Sequence, residues 1–183
     1  MVDGMRQVLA IIALLAIAGA VWLLRGNEMS SSDSIDYQGQ PIKLSKRYGD
    51  YDDYKNDPNN LAPGEAGKAQ QLVQSAPIAK QFADRRQMIQ AVMDLKFPGY
   101  GMGSYGEKPQ SDGSVLALYG IEIPKSGNWR YLLFRGNGGT YTLIDDFVYA
   151  EAAQIFGVRS SGDKLVYTTM QGATVVERSP SVN

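Results

Sequence analysis

The chain has 183 residues, 44% hydrophobic and 20% charged, proportions that suit one folded domain with appendages. A formal net charge of -1 leaves no basic field to neutralise a run of phosphates, so no nucleic-acid partner is expected. Cysteine and histidine are both absent, which removes disulfides, thiolate and Ser-His-Asp catalysis and the usual zinc ligands; no cofactor and no metal is expected.

The first element is the uncharged run "VLAIIALLAIAGAVWLL", residues 8–24, bounded by Arg6 and Arg25. As a helix rising about 1.5 Å per residue it reaches about 26 Å, and snorkelling arginines can close the gap to a hydrocarbon core of about 30 Å. Ten of its 17 residues are Leu, Ile or Val, and Trp22 stands where an interfacial aromatic would anchor a span. Residues 1–25 therefore read as a transmembrane signal-anchor in the inner membrane, single-pass and N-in, with the C-terminal part in the periplasm or at the cell exterior. The alternative is a cleaved secretory signal: Arg6 as the positive region, Val8 to Ile17 as the apolar core, and small residues for cleavage near Ala20. Both readings export the bulk of the chain.

Residues 26–62 read as a flexible polar linker, because "NEMSSSDS" and "YGDYDDYKNDPNN" are short of aliphatic side chains. Within it, Asp50, Asp52, Asp53 and Asp57 invite a calcium reading. The EF-hand spacing fails, since Tyr54 occupies the fifth ligand position and no glycine follows it, so a solvated acidic stretch is expected. Tyr48, Tyr51 and Tyr54 recur every third residue, as they would in a short segment that orders on a partner.

Residues 63–183 read as an extracytoplasmic α+β domain, one or two helices packed on an antiparallel sheet of about five strands. A short helix runs from Pro63 to near Pro77, and a longer one from Pro77 to Phe97, with Ile78, Phe82, Ile89, Val92 and Met93 on one side. Then comes "FPGYGMGSYGEKPQSDGS", residues 97–114, a glycine-rich loop. Its GxGxG-like pattern follows a helix and precedes a strand, the reverse of a dinucleotide fingerprint. Tyr100 and Tyr105 offer flat faces for a sugar ring or a peptide and are the candidate ligand-binding residues, set against a plain helix-to-sheet connector. "SVLALYGIEI", "NWRYLLFR" and "TYTLI" form a meander, and "KLVYTTMQGATVVERS" a second hairpin turning at Gln171-Gly172. Between them, "DDFVYAEAAQIFG" reads as a short helix capped by Asp145 or Asp146 and ended at Gly157, with a strand over Phe147 to Ala150 as the rival.

Few constellations offer catalysis. Ser161 to Lys164 spells S-x-x-K and Lys125 to Asn128 resembles K-T-G, but the serine lies in a loop running into a strand and not at a helix start. Asp145, Asp146 and Glu151 could supply general acid and base, yet the two aspartates point to opposite sides. Arg130 and Arg135 fall on opposite strand faces and make no anion clamp. The leading expectation is a membrane-tethered binding or accessory module, held through residues 8–24, for an envelope protein or a cell-wall glycan. A small secreted carboxylate-based glycan hydrolase, or an inhibitor or immunity-type protein, are the competitors.

Overall fold

The computed structural model describes residues 33–150 and 155–181. The apolar run at residues 8–24, with its anchor and signal readings, and Glu151 lie outside the described residues. Among those described, no helix is long and apolar enough to cross a membrane. The chain divides into two compact units, Met1–Glu65 and Ala66–Asn183.

In the first unit, where the sequence reads as a tether, there are ordered elements. Strands β1 (Ser34–Tyr37) and β2 (Gln40–Lys43) pair antiparallel, and the turn between them, Gln38-Gly39, has positive φ at both positions (52° and 69°), as a type I′ turn demands. Helix α1 (Tyr51–Asn56) starts at Asp50, whose carboxylate accepts the Asp53 N–H at 2.8 Å. The apolar bulk that aliphatics do not supply comes from tyrosine: Tyr37, Tyr48 and Tyr54 are buried with Ile35, Ile42, Leu44 and Leu61, and the Tyr48 and Tyr54 rings meet edge-on at 5.4 Å. Tyr51 alone of the tyrosine triplet is exposed.

The second unit is layered. Its main sheet has five antiparallel strands in the order β3-β7-β6-β5-β4: β3 (Gln81–Phe82), β4 (Met102–Pro109), β5 (Val115–Glu122), β6 (Asn128–Asn137) and β7 (Thr140–Ala150). Strand β5 is buried on both faces from Leu116 to Ile121. Leu116, Leu118, Tyr131, Leu133 and Phe147 face a second sheet of β8 (Gly157–Ser161), β9 (Lys164–Thr168) and β10 (Thr174–Arg178), burying Val158, Leu165 and Tyr167. On the opposite face Phe134 meets Tyr119 and Phe82, and helices α2 (Glu65–Ser75) and α3 (Arg85–Asp94) bury Ala69, Val73, Met88 and Val92.

Several expectations are corrected. The long helix begins only at Arg85, because the Asp84 carboxylate accepts the Gln87 N–H at 2.8 Å and caps it there, while Phe82 pairs in β3 with Tyr141. Met93 is consequently exposed. The segment from Asp145 is strand, not helix: Asp145 to Ala150 all pair with β6, and Phe147 stacks on Tyr131 at 5.6 Å. The glycine-rich loop contains edge strand β4, paired along its length with β5.

The adjacent Asp145 and Asp146 bind arginines on opposite faces of β7. The ladder between β6 and β7 shifts at Ile144, Leu133 pairing with Asp145 and Phe134 with Leu143, so Asp145 turns to the face opposite Leu143. There, fully buried, it accepts from Tyr167 Oη (2.7 Å), Arg178 Nε (2.8 Å) and Ser181 Oγ (2.6 Å), while the Arg178 guanidinium lies 4.3 Å over the Phe147 ring. Asp146 faces the helices and accepts both arms of Arg130 (2.8 and 2.6 Å), whose remaining nitrogen donates to the Val73 and Ala76 carbonyls at the end of α2 (2.8 and 2.9 Å). These four acceptors are why Arg130 is buried, whereas Arg135 is exposed.

Replacing Arg130 by Ala strands a partly buried carboxylate and two helix-end carbonyls and should cost about 3–5 kcal/mol in urea unfolding. Arg130→Lys should recover little of it, since one ammonium cannot match the fork. Burial, then the charge of Asp145, raises the Tyr167 phenol well above its ordinary value. The folded state therefore holds that proton after the unfolded chain has released it, and stability should fall as pH rises past about 10. Tyr167→Phe should lower stability near neutrality by about 1–3 kcal/mol and flatten that alkaline decline, both read from melting temperature against pH.

Candidate ligand-binding site

The glycine-rich stretch meets the end of the β5–β6 hairpin on the face shared with the second sheet. Residues Tyr105 and Gly106 lie opposite Leu118 in a β-bulge, between the pairs Ser104 with Tyr119 and Glu107 with Ala117, and Gly106 takes φ +78°. The bulge separates two roles. Glu107 turns to the helix face, where it accepts from Arg85 Nε and from Tyr141 Oη. Tyr105 lies on the other face, edge-on to Phe156 at 5.6 Å and tilted on Tyr131 at 6.3 Å.

Its floor is backbone. A Cβ at Gly103 would stand 2.6 Å from Tyr105 Oη, and one at Gly120 would stand 3.1 Å from the Trp129 ring and 3.2 Å from both Tyr105 Oη and the Tyr131 ring. A Cβ at Gly101 would meet Glu122 Oε2 at 2.9 Å and the Trp129 ring at 3.3 Å. The three glycines thus let Tyr105, Trp129 and Glu122 lie against the sheet as one shelf. Tyr149, the register partner of Trp129, extends it, and Tyr105, Trp129 and Tyr149 are all partly exposed while packing on the buried cluster below.

The shelf carries few polar groups. Glu122 Oε2 accepts the Gly101 N–H at 2.6 Å, which leaves Oε1 without a hydrogen-bond partner among the described residues. Trp129 Nε1 and Tyr149 Oη have none either among those residues. Burial first, then the neighbouring Tyr131 phenol, pushes the Tyr105 phenol up to about 12. Tyr105 is therefore neutral, and its partly exposed ring is the face it offers a ligand.

Of the sequence-predicted pair, Tyr100 packs elsewhere: its ring meets Phe97 at 5.7 Å and Lys125 Nζ at 5.9 Å, beside the β5–β6 turn. Trp129, Glu122 and Phe156 were missed. Gly120 inside an otherwise bulky strand was the available signal, since a glycine there marks close approach by another group, and hairpin pairing then brings Glu122 opposite Trp129.

The other candidates have structural partners. Asp145 and Asp146, each committed to an arginine on its own face, do not form an acid and base pair. Ser161 and Lys164 flank the exposed two-residue turn Gly162-Asp163, where Lys164 lies 3.7 Å from Glu177. In the first unit Asp52 pairs with Lys55 at 2.8 Å. Asp57 pairs with Lys46 at 2.9 Å and accepts from Tyr48 Oη at 3.0 Å, and the hydrogen bond from Lys46 first of all holds its carboxyl down at about 2. Comparison with known proteins adds no relative: no family model matches the chain, and neither does any curated protein or solved structure.

Adding a methyl group at Gly103 tests this geometry. Gly103→Ala should displace Tyr105, cost about 1–3 kcal/mol, and return its phenol from about 12 toward an ordinary value of about 10. Ultraviolet titration of tyrosine ionisation reads the shift.

Proposed function

We propose that this chain is a membrane-tethered extracytoplasmic binding module, anchored through residues 8–24, that engages an envelope protein or cell-wall partner with the shelf beside β4. One observation carries the reading: Trp129, Tyr105 and Tyr149 stay partly exposed on a floor of glycine backbone, next to an indole N–H and a carboxylate oxygen with no hydrogen-bond partner among the described residues. Aromatic faces held rigidly lose little entropy when they bind, which is how such residues come to dominate recognition surfaces. The edge of β4 contributes less. Its bulge, Lys108 and Pro109 are the devices that discourage an added strand, so the face of the sheet is favoured over its edge.

Two of the three carboxylates of the hydrolase reading, Asp145 and Asp146, are bound to Arg178 and Arg130 on opposite faces, which favours the binding module. The export reading rests on the apolar run and its flanking arginines.

Co-sedimentation with cell-envelope fragments of the source organism tests the module. The full chain, extracted in detergent, should pellet with the fragments, and Trp129→Ala should lower the bound fraction about ten-fold or more while its melting curve stays cooperative. Equal pelleting of the variant would count against the shelf. A C-terminal reporter active only in the cytosol would count against export.

A further inference from the structure

We propose that the shelf takes a neutral or N-acetylated saccharide, with one pyranose ring lying on the Trp129 indole. This rests on the binding-module reading and names the ligand class for the same surface. Three features select the class.

The first is shape. A pyranose with equatorial substituents turns a flat face of C–H groups toward an aromatic ring, and Trp129, with Tyr105 and Tyr149 on the same face of the sheet, presents such partly exposed rings. Gly101, Gly103 and Gly120 hold those rings against the backbone, because a side chain at any of the three would lift Trp129, Glu122 or Tyr105 from its place.

The second is the pattern of polar atoms. Sugar hydroxyls both donate and accept, and an acetamido group does the same with its N–H and its carbonyl. The shelf offers both kinds: the Trp129 indole N–H as donor, the Tyr149 hydroxyl as either, and Glu122 Oε1 as acceptor, since Oε2 is held by the Gly101 N–H at 2.6 Å. A peptide strand would need a ladder of backbone groups instead, and the bulge at Tyr105-Gly106 interrupts that ladder on β4.

The third is charge. The acceptor is a carboxylate and no arginine or lysine among the described residues pairs with it, so a uronic acid or a phosphorylated sugar would meet repulsion at the position where a hydroxyl finds a partner.

The full chain in detergent, carrying Trp22→Phe so that Trp129 is its sole tryptophan, is titrated with chitotetraose, cellotetraose and tetragalacturonate by fluorescence and calorimetry. Saturable binding of one or both neutral tetrasaccharides and not of tetragalacturonate is expected. Trp129→Ala in the full chain, followed by calorimetry, should weaken it about ten-fold or more. Glu122→Gln keeps an acceptor for the Gly101 N–H and should relax the rejection of tetragalacturonate. Preference for tetragalacturonate, or neutral binding unchanged in Trp129→Ala, overturns the inference. If neither neutral tetrasaccharide binds while envelope co-sedimentation still depends on Trp129, the saccharide inference fails and the module stands; if both are lost, both readings fall.

Discussion

The architecture of the second unit depends on two neighbouring carboxylates that cannot share a partner. A strand sends successive side chains to opposite faces, so Asp145 and Asp146 each need a cation from a different layer. Arg178 at the end of β10 answers the first, and Arg130 on β6, reaching the end of α2, answers the second. Buried pairs of this kind contribute little net stability against a well-packed apolar alternative. Their effect is discriminating, because any other docking of helix or sheet would leave a charge unpaired in the interior.

That constraint has a consequence for chemistry. The most acidic stretch of the sheet is spent on holding layers together, so the surface left to meet a ligand is aromatic. At the other end of the same face, β4 is bulged and glycine-rich, and its shortage of side chains is what lets Tyr105 and Trp129 lie flat. Rigidity here comes from crowding: Gly120 admits the Trp129 and Tyr131 rings and the Tyr105 hydroxyl within 3.2 Å of where a Cβ would stand. The flexible joint that glycine composition suggests is, in place, a firmly packed strand edge.

Much of this was legible in the residues. The aromatic and β-branched residues of Ser114 to Ile123 and Asn128 to Arg135, with turn residues between them, point to the meander, and Gln171-Gly172 points to the last hairpin. What escaped depended on distant contacts. Phe147 to Ala150 is strand because Tyr131 and the rest of β6 lie alongside, and local propensity cannot register a neighbour sixteen residues away. The shift at Ile144 reverses which residues face inward, so counting by twos places Asp145 on the wrong face. Residues 26–62 read as a tether because aliphatics are scarce, yet among those described, tyrosines such as the edge-on pair Tyr48 and Tyr54 fill the same volume. Tyr105 was visible as a candidate, whereas Trp129 and Glu122 became so only when the hairpin register set them across from each other.

We propose a tethered module whose partner rests on the aromatic end of its sheet. Photo-crosslinking in living cells interrogates that contact directly, with a benzoylphenylalanine in place of Tyr149, beside Trp129, or in place of the exposed Tyr51 in the first unit. The account predicts covalent adducts with envelope material from position 149 and none from position 51. Adducts formed equally from both positions, or from position 51 alone, would contradict it.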